Sequence, residues 1–224
     1  MGIPPFSFFL FTFAFFSFAM RIGVFGGTFD PVHLGHLILA EQCCEQGRLD
    51  QVWFVPAASP PHKQEQTLTP FAQRVEMLAL AIAGQPAFRI DELEKDRPGP
   101  SYTVHTLEEI KRRQPDDELF LPIGSDTLLD LMNWYQPQRV VAMAGLLVTH
   151  RPGWPLPRPE DVEASLKLPE GIRLRLQTVE APLIDIQSRD LRRRASENRS
   201  LRYLVPRAVE AYIHDKRLYR KSLT

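Results

Sequence analysis

Cysteine is nearly missing from this 224-residue chain, and its scarcity excludes two kinds of architecture. The only two, Cys43 and Cys44, are neighbours in a stretch that reads as helix, where adjacent side chains diverge. No disulfide framework follows, and the expected compartment is reducing. Two cysteines without a partnered spacing make no zinc site either. Net charge is absent as well, because 27 basic and 27 acidic residues cancel. No global field draws the chain to nucleic acid or to an anionic membrane. Only from Ile186 onward is the balance uneven, with eleven Lys and Arg against four Asp and Glu. A solvated helical face is the ordinary cause of such a surplus. Two phosphate-binding patterns are missing too: neither G-x-G-x-x-G nor a Gly-Lys-Ser/Thr loop occurs.

Charge also disappears between Met1 and Met20, a stretch that holds eight of the fourteen Phe. Such a run suits a signal peptide or a membrane anchor, and Ser17-Phe18-Ala19 resembles a small-x-small cleavage site. The positive flank of a signal is lacking, however, and Met20-Arg21 leads into an apolar strand with no linker. Phe, Ser, Leu and Pro dominate residues 4–18, and all four can be written with pyrimidine-only codons. We expect residues 1–19 to be an apolar leader outside the native fold, with Met20 as the natural start and no membrane partner. Residues 20–224 are then expected to form a single domain, long enough to bury a core without staples.

Beyond the leader, strand-like and helix-like stretches alternate. Ile22–Phe25 and Val52–Val55 read as buried strands, the first ending in Gly26-Gly27 and the second in Pro56. Leu34–Gln46 reads as a helix closed by Gly47. Thr69-Pro70 reads as the next helix start, Thr as N-cap and Pro at the first helical position. Phe88–Ile90, Leu119–Ile123 and Leu146–Val148 are further strands, and Thr103–Arg113 a further helix. Short helical pieces are expected at Leu128–Met132 and Pro137–Ala142, then an ordered proline-rich loop at Pro152–Pro159. Ile172–Val179 predicts an edge strand with one wet face, and Ser188–Glu197 and Pro206–Lys216 two terminal helices. This alternation predicts an α/β fold: a doubly wound parallel sheet, covered on both faces, with C-terminal helices. Functional loops then fall at the carboxyl ends of the strands.

The turn from the first strand to the first helix holds the chemistry: Gly26-Gly27-Thr28-Phe29-Asp30-Pro31-Val32-His33-Leu34-Gly35-His36. The glycines let the backbone approach an anion, and the next helix offers N–H groups and a positive dipole end. For a lone histidine a structural role is the ordinary one. Two of them, three apart beside a Gly-Gly turn, point to phosphate oxygens, with cationic or hydrogen-bonding imidazoles stabilising developing charge. No third ligand stands nearby at metal-site spacing.

This run resembles, position for position, the G-G-T/S-F-D-P-x-H-x-G-H signature of the nicotinate-nucleotide adenylyltransferases, a family of the nucleotidylyltransferase superfamily with its Rossmann-like fold. Pro61-His62-Lys63, Ser101-Tyr102-Thr103 with Thr106-Leu107, Gly124-Ser125-Asp126 with Leu128 and Trp134, and Arg151-Pro152-Gly153 resemble further motifs of that family. So does the tail from Val205-Pro206 to Leu218-Tyr219, and the likeness spans about residues 20–220. One motif departs: the family's I-S-S-T-x-I-R reads Ile186-Gln187-Ser188-Arg189-Asp190-Leu191-Arg192. Ser188 and Arg192 match, whereas the Thr hydroxyl is replaced by Arg189, a candidate substitute grip on phosphate.

The resemblance implies an enzyme of NAD biosynthesis, placed in the cytoplasm, that joins ATP to nicotinate mononucleotide and releases pyrophosphate. It implies His33, His36 and Arg192 as catalytic. It sets Gly26, Gly27, Thr28, Phe29, Gly124, Asp126 and Ser188 beside them on ATP. Lys63, Tyr102, Thr103, Trp134, Tyr135 and Arg151 would take the nicotinate mononucleotide, Trp134 by stacking on the ring. Mg2+ is implied as cofactor, held mainly by the ATP phosphates. A homo-oligomer is compatible with this reading. The rival expectations are a phosphopantetheine adenylyltransferase, and a nucleotide-binding regulator that keeps the fold without turnover.

Overall fold

The computed structural model describes residues 19–61 and 68–220. The leader, apart from Ala19, lies outside the described residues, and so do His62 and Lys63. Six strands make one sheet: β1 (Arg21–Gly27), β2 (Gln51–Pro56), β3 (Phe88–Ile90), β4 (Glu118–Gly124), β5 (Ala144–Thr149) and β6 (Leu176–Val179). Their order is β3-β2-β1-β4-β5-β6, and every pairing is parallel. The central strands are near-continuous apolar runs because both of their faces are covered.

Alternation along the strands sorts two cores. Ile22, Val24, Trp53 and Val55 point to one face, where they meet α3 (Thr103–Arg113), α4 (Ser125–Asp130), α5 (Pro137–Met143) and α6 (Pro159–Leu166). Phe25, Val52, Phe54 and Leu147 point to the other, against α1 (Leu34–Gln46), α2 (Phe71–Ile82), α7 (Ser188–Ser196) and α8 (Arg207–Asp215). The doubly wound, Rossmann-like α/β expectation is met. Cys43 is buried in the second core and both thiols are free; burial pushes Cys43 up to about 12. Among the described residues no helix is long and apolar enough to cross a membrane.

Three local expectations need correction. Thr69 is not a cap and Pro70 is not the first helical residue: Pro70 itself is the N-cap of α2, its ψ of 140° lying outside the helical region. Thr69 is held elsewhere, its N–H donating to Asp30 Oδ2 at 3.1 Å and its carbonyl accepting from Arg74 Nε at 2.9 Å. The proline-rich loop ends one residue before the expected Pro159, and the sequence reading assigns no element to α6 beyond it. Pro159 opens that helix at the first position, with Glu160 and Asp161 in the first turn, where they suit the helix dipole. Finally, β6 is half the expected strand. Residues 172–175 stay outside it because Ile172 closes a turn onto Pro169 O, and pairing enters only through Leu146 N–H to Arg175 O.

The chain runs from β1 out to β3, returns to β4 beside β1, and then runs to the opposite edge. The carboxyl ends of β1 and β4 therefore part, and the crevice between them is where open α/β sheets bind ligands.

Candidate active site

That crevice is a cleft with two lobes. One, of about 760 Å3, is lined by Thr28, His33, His36, Ser188, Arg189 and Arg192. The other, of about 810 Å3, is lined by Gly26, Tyr102, Thr103, Trp134 and Tyr135. Gly27, Thr28, His36, Gly124, Asp126 and Arg151 line both, so they form the shared wall. Of the described residues that the resemblance assigns to ATP or the mononucleotide, only Phe29 lines neither lobe. A positive φ of 48° turns its ring inward, where it is buried edge-on to Phe25 (5.5 Å) and His36 (5.1 Å). Phe29 is a prop beneath His36.

His33 is the N-cap of α1 and 5% exposed, and its ring stacks on that of His36 at 3.6 Å. His36 Nδ1 accepts the His33 backbone N–H at 3.2 Å. The helix end is more engaged than expected: Leu34 N–H donates to Leu204 O at 3.0 Å. Burial, then the nearby charge of Arg151, lowers His33 to about 3. The cationic option therefore fails for His33, which is neutral at neutral pH. The unfolded chain binds a proton at this position below about 6.5, the folded chain only near 3, so acid favours unfolding across that window. Between pH 7 and 5 wild type should lose about 2 kcal/mol more than His33→Asn, read from urea midpoints; parallel curves would refute it.

The carbonyls of the turn are held from behind. Arg74 Nη1 donates to Thr28 O at 2.8 Å, Arg192 Nη1 to Asp30 O at 2.7 Å, and Ser188 Oγ to Pro31 O at 2.9 Å. Ser188 and Arg192, expected on the triphosphate, line the lobe but spend these donors on the turn. Arg189 is exposed at the rim, within 3.4 Å of Gln187 Oε1.

Across the cleft, β4 passes into α4 without a connecting residue, Gly124 serving as N-cap. Asp126 in the first turn pairs with Arg151 Nη1 at 2.9 Å. Ser125 Oγ accepts Arg151 N–H at 3.0 Å and donates to Trp154 O at 3.1 Å, so Arg151 is anchored at backbone and side chain. Asp126 Oδ1 is buried and has no hydrogen-bond partner among the described residues. A Cβ on Gly124 would stand 2.4 Å from that oxygen, which explains the glycine.

The second lobe is aromatic. Tyr102 and Tyr135 stack at 4.6 Å, and Trp134 is half-buried against the core. Thr103 is the first residue of α3, with Tyr102 as its N-cap. Two groups of polar residues escaped the sequence reading. Glu94, buried in the wall of this lobe, accepts from the Thr106 hydroxyl and pairs with Arg97 at 3.1 Å. Asp30, Arg74 and Tyr219 lie behind the turn. Asp30 and Tyr219 each fall in a motif of the resemblance and Arg74 in the expected second helix, but no local pattern joins the three.

The chain matches the cytidylyltransferase-like family over residues 24–194. It is 47% identical to a probable nicotinate-nucleotide adenylyltransferase of Thermus thermophilus, across 90% of this chain and all of that one. A relative of the same name from Thermomicrobium roseum is 44% identical, across 89% of this chain and 92% of its own. The chain belongs to the nicotinate-nucleotide adenylyltransferase family. It is thus a nucleotidyltransferase, as the sequence resemblance implied. The fold of that family recurs in Plasmodium falciparum nicotinic acid mononucleotide adenylyltransferase complexed with NaAD. The two superpose with a TM-score of 0.73 at 18% identity, over 89% of this chain and 97% of the other.

Proposed function

We propose that the cleft transfers the adenylyl group of ATP to nicotinate mononucleotide, giving deamido-NAD and pyrophosphate. The observation that carries this reading is the shared wall. A polar lobe sized for a nucleotide and an aromatic lobe meet at His36, Asp126 and Arg151, where two ligands would touch. In the polar lobe His33 and His36 donate to the phosphates of ATP, with Arg192 on the same wall. Gly26, Gly27 and Thr28 let the chain pass close to the nucleotide, and Gly124 and Asp126 stand opposite. The unpartnered Asp126 Oδ1 suits a ribose hydroxyl. In the aromatic lobe Trp134, Tyr102 and Tyr135 offer flat faces to the pyridine ring, and Thr103 its hydroxyl to the nicotinate carboxylate. Arg151 contacts the mononucleotide from the shared wall, and Lys63 belongs to the same proposal.

The mononucleotide phosphate is already ionised at neutral pH. Its oxygen attacks the α-phosphorus in line and pyrophosphate leaves, so the residues need only position the reactants and balance charge. Among the described residues no three His, Cys, Asp or Glu cluster as metal ligands. Asp126, the carboxylate that lines both lobes among the described residues, is already paired with Arg151, which fits an Mg2+ held chiefly by phosphate oxygens rather than by protein ligands. When bound, that ion supplies charge neutralisation on the leaving pyrophosphate. The free thiols suit a reducing cytoplasm, where we place the reaction.

Pyrophosphate release from ATP, Mg2+ and nicotinate mononucleotide tests the proposal. Parallel reactions contain the nicotinamide nucleotide or phosphopantetheine. Release is expected mainly with the nicotinate nucleotide. Release with phosphopantetheine instead would reassign the aromatic lobe, and none with any acceptor would leave a nucleotide-binding regulator.

A further inference from the structure

Behind the histidine turn lies a buried polar group that belongs to neither lobe. Asp30 is 1% exposed and Arg74 2%. Asp30 Oδ1 accepts the Tyr219 hydroxyl at 2.6 Å, and Oδ2 accepts the Thr69 N–H at 3.1 Å. Arg74 spans Thr28 O, Ala57 O and Thr69 O, and Arg192 completes the set on Asp30 O. Two guanidinium groups face one carboxylate, and the carboxylate keeps a donor on each oxygen, as burial demands.

Tyr219 is the member supplied from farthest away, 189 positions from its partner in the chain. It sits past the end of α8, where the chain turns back through Lys216 N–H to Tyr212 O and Leu218 N–H to Ile213 O. Arg217 (φ 51°) and Tyr219 (φ 61°) both take the left-handed conformation, uncomfortable for side-chain-bearing residues. Such strain persists where surroundings over-determine it. Here the packing of α8 on α2 and the bond to Asp30 do so.

We propose that Tyr219 is a positioning residue for adenylyl transfer: its hydroxyl, through Asp30, fixes the turn that carries His33 and His36. This rests on the reading of the cleft given above. Without the hydroxyl, a buried carboxylate oxygen loses its donor and must rotate to find another. That rotation pulls on Thr69 and on the turn backbone between Phe29, which props His36, and His33. The reactants still bind, but the imidazoles are misplaced relative to the reacting phosphates.

Tyr219→Phe should lower kcat about tenfold while KM for either substrate stays within about twofold. Tyr212→Phe is the control. It deletes a tyrosine–carboxylate bond of the same length, Tyr212 to Glu76 Oε2 at 2.6 Å, on the same pair of helices but away from the turn. Its kcat should match wild type. Combining Tyr219→Phe with Asp30→Ala should cost no more than Asp30→Ala alone, since alanine removes the acceptor and both act through one contact. Wild-type kcat in Tyr219→Phe, or fully multiplying effects in the double variant, would overturn the proposal. If wild type releases no pyrophosphate, the functional reading fails. The clamp is then read from the imidazole resonances of His36, which must shift in Tyr219→Phe and stay put in Tyr212→Phe; an unmoved signal overturns it.

Discussion

Replacing His36 by alanine should lower kcat about 100- to 1,000-fold, the usual loss when one oriented donor to a developing charge is removed. Its orientation is the reason. Nδ1 accepts the His33 N–H, so the ring proton sits on Nε2. Phe29 packs edge-on at 5.1 Å and His33 stacks at 3.6 Å, leaving the ring little freedom. An imidazole held on two faces loses little entropy when a phosphate arrives, which is where preorganisation gains its advantage. Alanine also deletes the acceptor for the His33 N–H, at a stability cost of about 1 kcal/mol. His36→Asn separates the two effects, because its short side-chain oxygen can restore the cap but carries no donor at the Nε2 position. Stability near wild type with kcat still depressed is the expected outcome for Asn. Turnover within threefold of wild type in both variants would remove His36 from the reaction.

The asymmetry between the histidines was not legible in sequence. His33 and His36 look equivalent in the motif, yet His33 is buried and held neutral while His36 stands at the wall of both lobes. The difference comes first from the burial of His33 and then from Arg151, contributed by the loop after β5. Long-range groups of this kind leave no local pattern. The Asp30–Tyr219 bond shows this most sharply: each residue falls in a recognisable motif, but across 189 positions nothing announces that the two meet. By contrast, α1 and α3 were legible to the residue, and the central strands to within one or two. Their apolar periodicity and glycine stops are local, and the buried parallel sheet rewards that pattern directly. Helix α6 was hidden by prolines, which read as loop unless the acidic residues after Pro159 are weighed as a first turn. Ser188 and Arg192 line the cleft, but their bonds to Pro31 O and Asp30 O join stretches more than 150 positions apart and leave no local pattern.

Gly124→Ala should lower kcat/KM for both substrates about 100-fold with stability nearly unchanged, an effect in which packing and chemistry separate cleanly. The backbone there (φ −85°, ψ 163°) accepts any residue, so no conformational penalty arises. What the methyl group meets is Asp126 Oδ1, 2.4 Å away. The carboxylate has to rotate, and rotation breaks the 2.9 Å pair to Arg151. That pair is partly solvated, so its loss costs the fold no more than about 1 kcal/mol. The site loses more. Gly124, Asp126 and Arg151 all belong to the wall that both lobes share, so one displacement disturbs both substrates at their junction. Asp126→Asn supplies the comparison, keeping the shape and losing the charge. If the frame matters chiefly through geometry, Asn at 126 should be milder than Ala at 124; if charge dominates, the order reverses. A Gly124→Ala enzyme with kcat/KM within threefold of wild type would show that the Asp126–Arg151 pair plays no part in aligning the reactants.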